Sequence, residues 1–244
     1  MQGLAGKRVI VTGGASGIGR AAALRLAAEG CIVGILDRDA SGAALSAASY
    51  QLDIADRAAV AAALARFEES FGPVDGLAHV AGWDRPVPFL ATEPAFWDEI
   101  IRINLYGTLV VHHVLAGAMA ERGSGRIVNV ASDAGRVGSS GEAVYAACKG
   151  GVIAFTKTLA RELAERGVIL NTICPGPTET PLFESIRQAS PFGAKLSESL
   201  KRAIPLRRLG QPDDCAGVIA FLLSDDAGYI TGQTISVSGG LTMI

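Results

Sequence analysis

The run Thr12-Gly13-Gly14-Ala15-Ser16-Gly17-Ile18-Gly19 joins two segments of opposite character. Before it, Lys7–Thr12 (KRVIVT) is short and β-branched, as expected of a buried strand. After it, Gly17–Glu29 is rich in Ala and Leu and reads as a helix closed by Gly30. A strand that passes through glycines directly into a helix commits the chain to a β-α-β beginning. Glycines there permit a sharp turn and a close approach of backbone to a pyrophosphate, whose charge the helix N-terminus would meet. Gly13, Ser16, Gly17, Ile18 and Gly19 are therefore candidate cofactor contacts. A glycine-rich turn without a ligand is the plainer alternative.

The same alternation continues to the end of the chain. Strands are expected at Cys31–Leu36, Ser49–Leu52, Asp75–Val80, Arg126–Ala131, Val168–Ile173 and Thr234–Val237. Helices are expected at Ala40–Ala48, Asp56–Phe71, Pro94–Glu121, Gly141–Arg166 and Pro212–Leu223. Such alternation implies an α/β fold: a single-domain, Rossmann-like, doubly wound parallel sheet with helices on both faces. With 244 residues, one core accommodates the whole chain, residues 1–244. The irregular stretch is 181–208, with Pro181, Pro191, Pro205 and several serines. It follows a strand end, where ligands bind in this topology, and reads as a substrate lid walled by Phe183 and Phe192.

Composition excludes several functions. Lys and Arg total 22 against 24 Asp and Glu, with no basic block, so no nucleic-acid partner is expected. Gly, charged and polar residues interrupt the apolar runs, so no membrane span is expected. Cys31, Cys148, Cys174 and Cys215 are scattered without a C-x-x-C pair, which favours a reducing, cytoplasmic setting over disulfides. His79, His112 and His113 lack metal-ligand spacing, so no metal is expected.

The second strand leads into Asp37, placed to accept hydrogen bonds from adenosine ribose hydroxyls and to repel a 2′-phosphate. NAD is the expected cofactor. Arg38 next to it is the residue type that pairs with a phosphate, which leaves NADP as the alternative. Asp53, followed by Ile54, is placed after the third strand to reach the adenine, or else to cap a turn.

Tyr145 and Lys149 are four residues apart in a helical segment and so project from one face. A phenol ionises near pH ~10, and a cation within roughly 4–6 Å lowers that value. Lys149 is thus expected to activate Tyr145 as a base, with Ser132 beside it on the substrate oxygen.

These pieces together resemble the short-chain dehydrogenase/reductase family along essentially the whole chain. The likeness rests on Gly13, Gly17 and Gly19, on Ala81-Gly82, on Asn104-Leu105-Tyr106-Gly107, on Ser132 with Tyr145-x-x-x-Lys149, and on Pro175-Gly176. It implies a catalytic set of Asn104, Ser132, Tyr145 and Lys149, with Asn104 holding a water that links Lys149 to solvent. It also implies dinucleotide contacts at Ala81, Gly82, Pro175, Gly176 and Thr178, alongside Tyr145 and Lys149, and a homotetramer. One departure stands out: His79-Val80 occupy the place of the two asparagines usual before Ala-Gly. Longer strings, among them Gly82-Trp83-Asp84 and Gly138–Tyr145, resemble family members acting on β-hydroxyacyl-CoA thioesters of cyclic acids. Trp83, Ser132, Tyr145 and Phe183 are the expected substrate contacts. The alternatives are a 3-oxoacyl thioester reductase, a simple alcohol or sugar dehydrogenase, and, remotely, a dinucleotide sensor without catalysis. Arg136 and Glu142, flanking the catalytic loop, read as no more than structural salt-bridge partners.

Overall fold

A computed structural model describes residues 1–43, 46–189 and 193–244. Within them the strands are β1 Arg8–Thr12, β2 Ile32–Asp37, β3 Ala48–Gln51, β4 Gly76–His79, β5 Gly125–Val130, β6 Val168–Pro175 and β7 Thr234–Val237. They form one parallel sheet in the order β3-β2-β1-β4-β5-β6-β7. The direction of winding reverses between β1 and β4, and the crevice at their carboxyl ends is where such sheets bind ligands.

The helices are α1 Gly17–Ala28, α2 Arg57–Phe71, α3 Pro94–Ile101, α4 Gly107–Arg122, α5 Ala134–Val137, α6 Ala143–Leu163, α7 Pro181–Ala189, α8 Gly193–Ala203 and α9 Pro212–Leu223. Strand residues alternate between two cores, as a sheet covered on both faces requires. Val9 and Val11 pack with Leu26 of α1 and Ile219 of α9. Ile10, between them in β1, packs on the other face with Phe67 of α2 and Val111 and Met119 of α4. Phe67 is fully buried and contributes about 2–3 kcal/mol by the apolar surface it removes from water.

Three local expectations are corrected. Ala40–Ala48 is not a helix: a 3-10 turn covers Ala40–Gly42, with Asp39 accepting from the Ser41 N–H, and β3 already begins at Ala48. Ala44 and Leu45 lie outside the described residues. Residues 181–208 are largely helical, because Pro181 opens α7 and α8 follows; Phe192 lies outside the described residues.

The third concerns the long helix. A π-helical segment, Arg102–Tyr106, joins α3 to α4, with the Gly107 N–H reaching back five residues to the Arg102 carbonyl. The resulting 29-residue helix, Pro94–Arg122, is long and apolar enough to cross a bilayer by length and composition. Its Val110, Leu115 and Met119 are packed into the core with Ile127 of β5, the position of an interior helix.

Candidate active site

The glycine turn is built by exclusion. Gly13 has φ +67, and a Cβ on it would lie 2.8 Å from the Cα of Ala81. A Cβ on Gly19 would lie 2.0 Å from the Gly13 carbonyl oxygen. Only glycine allows α1 and the segment after β4 to close on the turn this tightly. Ser16 precedes α1 in extended conformation, its side chain makes no capping bond, and the first turn carries no acidic residue. The leading N–H groups of α1 are therefore without a side-chain partner, the condition that suits a phosphate.

Asp37, at the end of β2, faces the same turn. Its Oδ2 accepts from the Ala15 N–H at 2.9 Å and its Oδ1 from the Asp39 N–H at 3.1 Å. Ile18 packs into the core beneath the turn. The residues present thus fit a dinucleotide, with Gly13, Ser16, Gly17, Gly19, Asp37, Ala81 and Gly82 gathered at the β1–β4 crevice.

Other expected contacts are already engaged within the chain. Asp53 holds Arg102 at 2.6 Å and the Ala55 N–H at 2.8 Å, while Ile54 packs against Gly107. Thr178 donates its hydroxyl to the Gly176 carbonyl at 2.9 Å. Pro175 closes β6 and the Gly176 N–H bonds Val237, so this pair borders the crevice through backbone.

Ser132, Tyr145 and Lys149 converge from the end of β5 and from α6. The Ser132 Oγ accepts from the Ala134 N–H at 3.1 Å, and its hydroxyl acts on the Tyr145 phenol in the direction of the ionised form. Lys149 is buried, donates from Nζ to the Val130 carbonyl at 3.0 Å, and lies 5.5 Å from the centre of the Tyr145 ring. Asn104 sits in the π-helical segment with no exposure at all. Its Nδ2 donates to the carbonyls of Trp83 and Ile100, and its Oδ1 accepts from the Trp83 N–H. A Cβ on Gly82 would meet Asn104 Oδ1 at 2.9 Å and Lys149 Nζ at 3.1 Å, so the two polar groups border the same point. Trp83 turns its ring onto Phe96, with centroids 6.4 Å apart, and Phe183 is half-buried at the start of α7.

The electrostatics overturn one expectation. The Tyr145 phenol is not brought below its usual value: burial raises it, Asp84 and Glu142 raise it further, and these outweigh the lowering influence of Ser132. Lys149 itself is lowered to about 8, chiefly by burial. Both groups are held toward their neutral forms because the protein removes them from water faster than it supplies opposite charge.

From sequence, Asp84 is expected at the pocket mouth with Trp83, and Glu142 beside the catalytic loop, with nothing to link the two. Both line a small cleft with Tyr145, Val87, Phe96 and Val144. Asp84 is raised to about 7 by burial and by the Glu142 carboxyl. Arg136, offered as a salt-bridge residue, instead donates to Ser236 and to the Ile244 carbonyl. The Gly82-Trp83-Asp84 and Gly141-Glu142 strings were the available signal, but 58 positions separate the two acids.

His79 fills the asparagine position with a connected set of bonds. The N–H groups of Val80 and Ala81 donate to Thr12 Oγ1, which pairs with His79 Nδ1 at 2.9 Å. His79 Nε2 pairs with Thr108 Oγ1 at 3.0 Å, and that hydroxyl donates to the Asn104 carbonyl.

Comparison with known proteins agrees with this geometry. A family model described as enoyl-(acyl carrier protein) reductase matches residues 13–242. The 3-oxoacyl-(acyl-carrier-protein) reductase of Thermotoga maritima is 36% identical, with 98% of this chain and 99% of the relative covered. The (3R)-3-hydroxyacyl-CoA dehydrogenase of Homo sapiens is also 36% identical, with 96% and 95% covered. The crystal structure of levodione reductase superposes with a TM-score of 0.93 at 35% identity, covering 97% of both chains. Sheet order, glycine turn and whole-length similarity together establish that this chain belongs to the short-chain dehydrogenase/reductase family, oxidoreductases whose fold implies a nicotinamide dinucleotide.

Proposed function

We propose that this protein is an NAD-dependent oxidoreductase interconverting a secondary alcohol and its ketone, with Tyr145 exchanging the proton of the reacting oxygen. The observation that carries it is the meeting of Tyr145, Ser132 and Lys149 beside Gly82, at the crevice where the glycine turn and Asp37 fit a dinucleotide. The bound dinucleotide supplies the hydride acceptor or donor. Ser132 orients the substrate oxygen and donates to the charge that develops on it. Tyr145, held neutral, is ready to protonate a forming alkoxide, and as phenolate it takes the alcohol proton in reverse. Lys149 holds the cofactor's ribose, and its charge, where present, favours the phenolate. Asn104 fixes the Trp83 backbone, and with Lys149 borders the point where a relay water would sit. Trp83 and Phe183 are the proposed substrate contacts, and α7 with α8 the proposed lid, since α7 begins against Gly17 through Thr180.

The substrate class proposed is a 2-hydroxycycloalkanecarboxyl-CoA or a similar β-hydroxyacyl thioester. Support comes from the strings around Trp83, Ser132 and Tyr145, which resemble 2-hydroxycyclohexanecarboxyl-CoA dehydrogenase. Linear 3-oxoacyl thioesters are the second reading, favoured by the relatives described above. We also propose a homotetramer working in the cytoplasm, with the exposed Ile101, Tyr106 and Leu109 as candidate contact residues.

Initial rates with NAD and NADP, in the oxidative direction, on a cyclic β-hydroxyacyl-CoA, its linear counterpart and simple alcohols test this. The cyclic thioester with NAD is expected to give the highest kcat/KM. A linear thioester in first place supports the second reading, and tighter binding of NADPH than NADH overturns the role given to Asp37.

A further inference from the structure

We propose that Asp84 and Glu142 form an acidic wall beside Tyr145 that selects for alcohols whose neighbouring acyl group is uncharged and rejects free carboxylates. The inference rests on the reading that Tyr145 exchanges the proton of the reacting alcohol, and it adds how the site chooses among such alcohols.

The placement is specific. Asp84 follows Gly82 in the segment after β4, and Glu142 is the residue before α6, three positions ahead of Tyr145. The two side chains line the same cleft, which Tyr145 also enters, and burial with the Glu142 carboxyl raises the pKa of Asp84. Burial and the second carboxyl favour the protonated form of Asp84, so the cleft offers a proton there and stays acidic. Asp84 is 4% exposed, and among the described residues its Oδ2 has no hydrogen-bond partner. A buried polar atom left without a partner is costly, which marks it as reserved for something that enters the cleft.

Among the described residues, neither nearby guanidinium is ion-paired with these acids. Arg85 lies over the Phe96 ring at 5.2 Å, and Arg136 is directed to Ser236 and the chain end. Lys149 acts on Asp84 through space while its Nζ donates to Val130. The rest of the wall is mainly apolar, with Val87, Phe96 and Val144, while the Thr92 hydroxyl is engaged by the Phe89 carbonyl and Trp97. A carboxylate brought to roughly 5 Å from this acidic wall is disfavoured about a hundredfold at the effective dielectric of a protein cleft. A thioester or ester carbonyl carries no charge and can accept a hydrogen bond from the protonated Asp84 carboxyl.

The test uses matched probes with one ring, ethyl 2-hydroxycyclohexanecarboxylate and the free acid, at pH 6, below the raised Asp84 value of about 7. Wild-type protein is expected to favour the ester in kcat/KM by about a hundredfold. In D84N, E142Q and the double variant that ratio is expected to fall at least tenfold, mainly through a lower KM for the acid. Dissociation constants of the two probes by calorimetry give the same comparison without turnover, and either single variant suffices if the double does not fold. A wild-type ratio near one, or a ratio that moves less than twofold in every folded variant, overturns the proposal. Loss of the underlying reading looks different: Y145F would then retain turnover, whatever the ratio.

Discussion

Replacing Tyr145 with phenylalanine lowers kcat by about a thousandfold or more while the dinucleotide dissociation constant moves less than twofold. The phenol is the group placed to exchange a proton at the reacting oxygen, with Ser132 and Lys149 arranged around it. Phenylalanine keeps the ring that packs above Lys149 and removes only the hydroxyl. The pH dependence of the unmodified protein carries the same argument further. Burial, Asp84 and Glu142 hold Tyr145 protonated, so carbonyl reduction starts from the form already present. Alcohol oxidation needs the phenolate and therefore gains rate as pH rises from 6. The gain flattens above about 8, where Lys149 loses the charge that favours the phenolate. Steady-state rates in both directions between pH 6 and 10 check this. An oxidation rate that falls with pH, or a Y145F variant with near-normal kcat, would remove Tyr145 from the proton-transfer role.

The fold was legible because period and punctuation agree along this chain. β-Branched runs such as Lys7–Thr12 alternate with Ala- and Leu-rich segments, and glycines mark the changes, so sheet class and most element positions follow from local preferences. What stayed hidden depends on partners distant in sequence. The π-helical turn at Arg102–Tyr106 has the same apolar spacing as an α-helix and shows itself only through the Gly107-to-Arg102 bond. Helices α7 and α8 were masked by Pro and Ser, yet Pro181 stands at the first helical position, where its missing N–H costs nothing.

The site divides in the same way. Tyr145 and Lys149 are neighbours on one helix, so their shared face is a local property. The direction of the tyrosine's shift is not, because burial and two acids from different segments decide it. Asp53 illustrates the limit: its position after β3 suits a ligand, while its ion pair with an arginine 49 residues away could be read only from the structure.

His79→Leu is expected to lower stability by about 2–3 kcal/mol, a fall in Tm of roughly 4–12 °C, and to reduce kcat more than it raises KM. Thr12 Oγ1 already accepts two N–H groups, so its own hydrogen must go to His79 Nδ1. That leaves the imidazole proton on Nε2, directed at Thr108, whose hydroxyl hydrogen in turn goes to the Asn104 carbonyl. One chain of bonds with a single direction thus runs from the glycine-turn strand to the π-helical segment that carries Asn104, whose side chain bonds the Trp83 backbone. Leucine fills the volume but leaves the Thr12 hydrogen and a Thr108 lone pair unmatched in a dry interior, where each such group costs about 1–3 kcal/mol. The sign of the pH effect follows from the imidazole. Burial, then the neighbouring His112 and Lys149, lower its pKa well below the usual value, so the folded protein resists a proton that the unfolded chain accepts. The advantage of wild type over His79→Leu is therefore full above about pH 6.5 and shrinks as pH falls below it. Denaturant unfolding at pH 5 and pH 8 reads that difference, and a double-mutant cycle with Thr108→Val reads the coupling, expected at 1 kcal/mol or more. An additive cycle, with equal losses at both pH values, would reduce His79 to a space-filling residue and detach the π-helical segment from the cofactor strand.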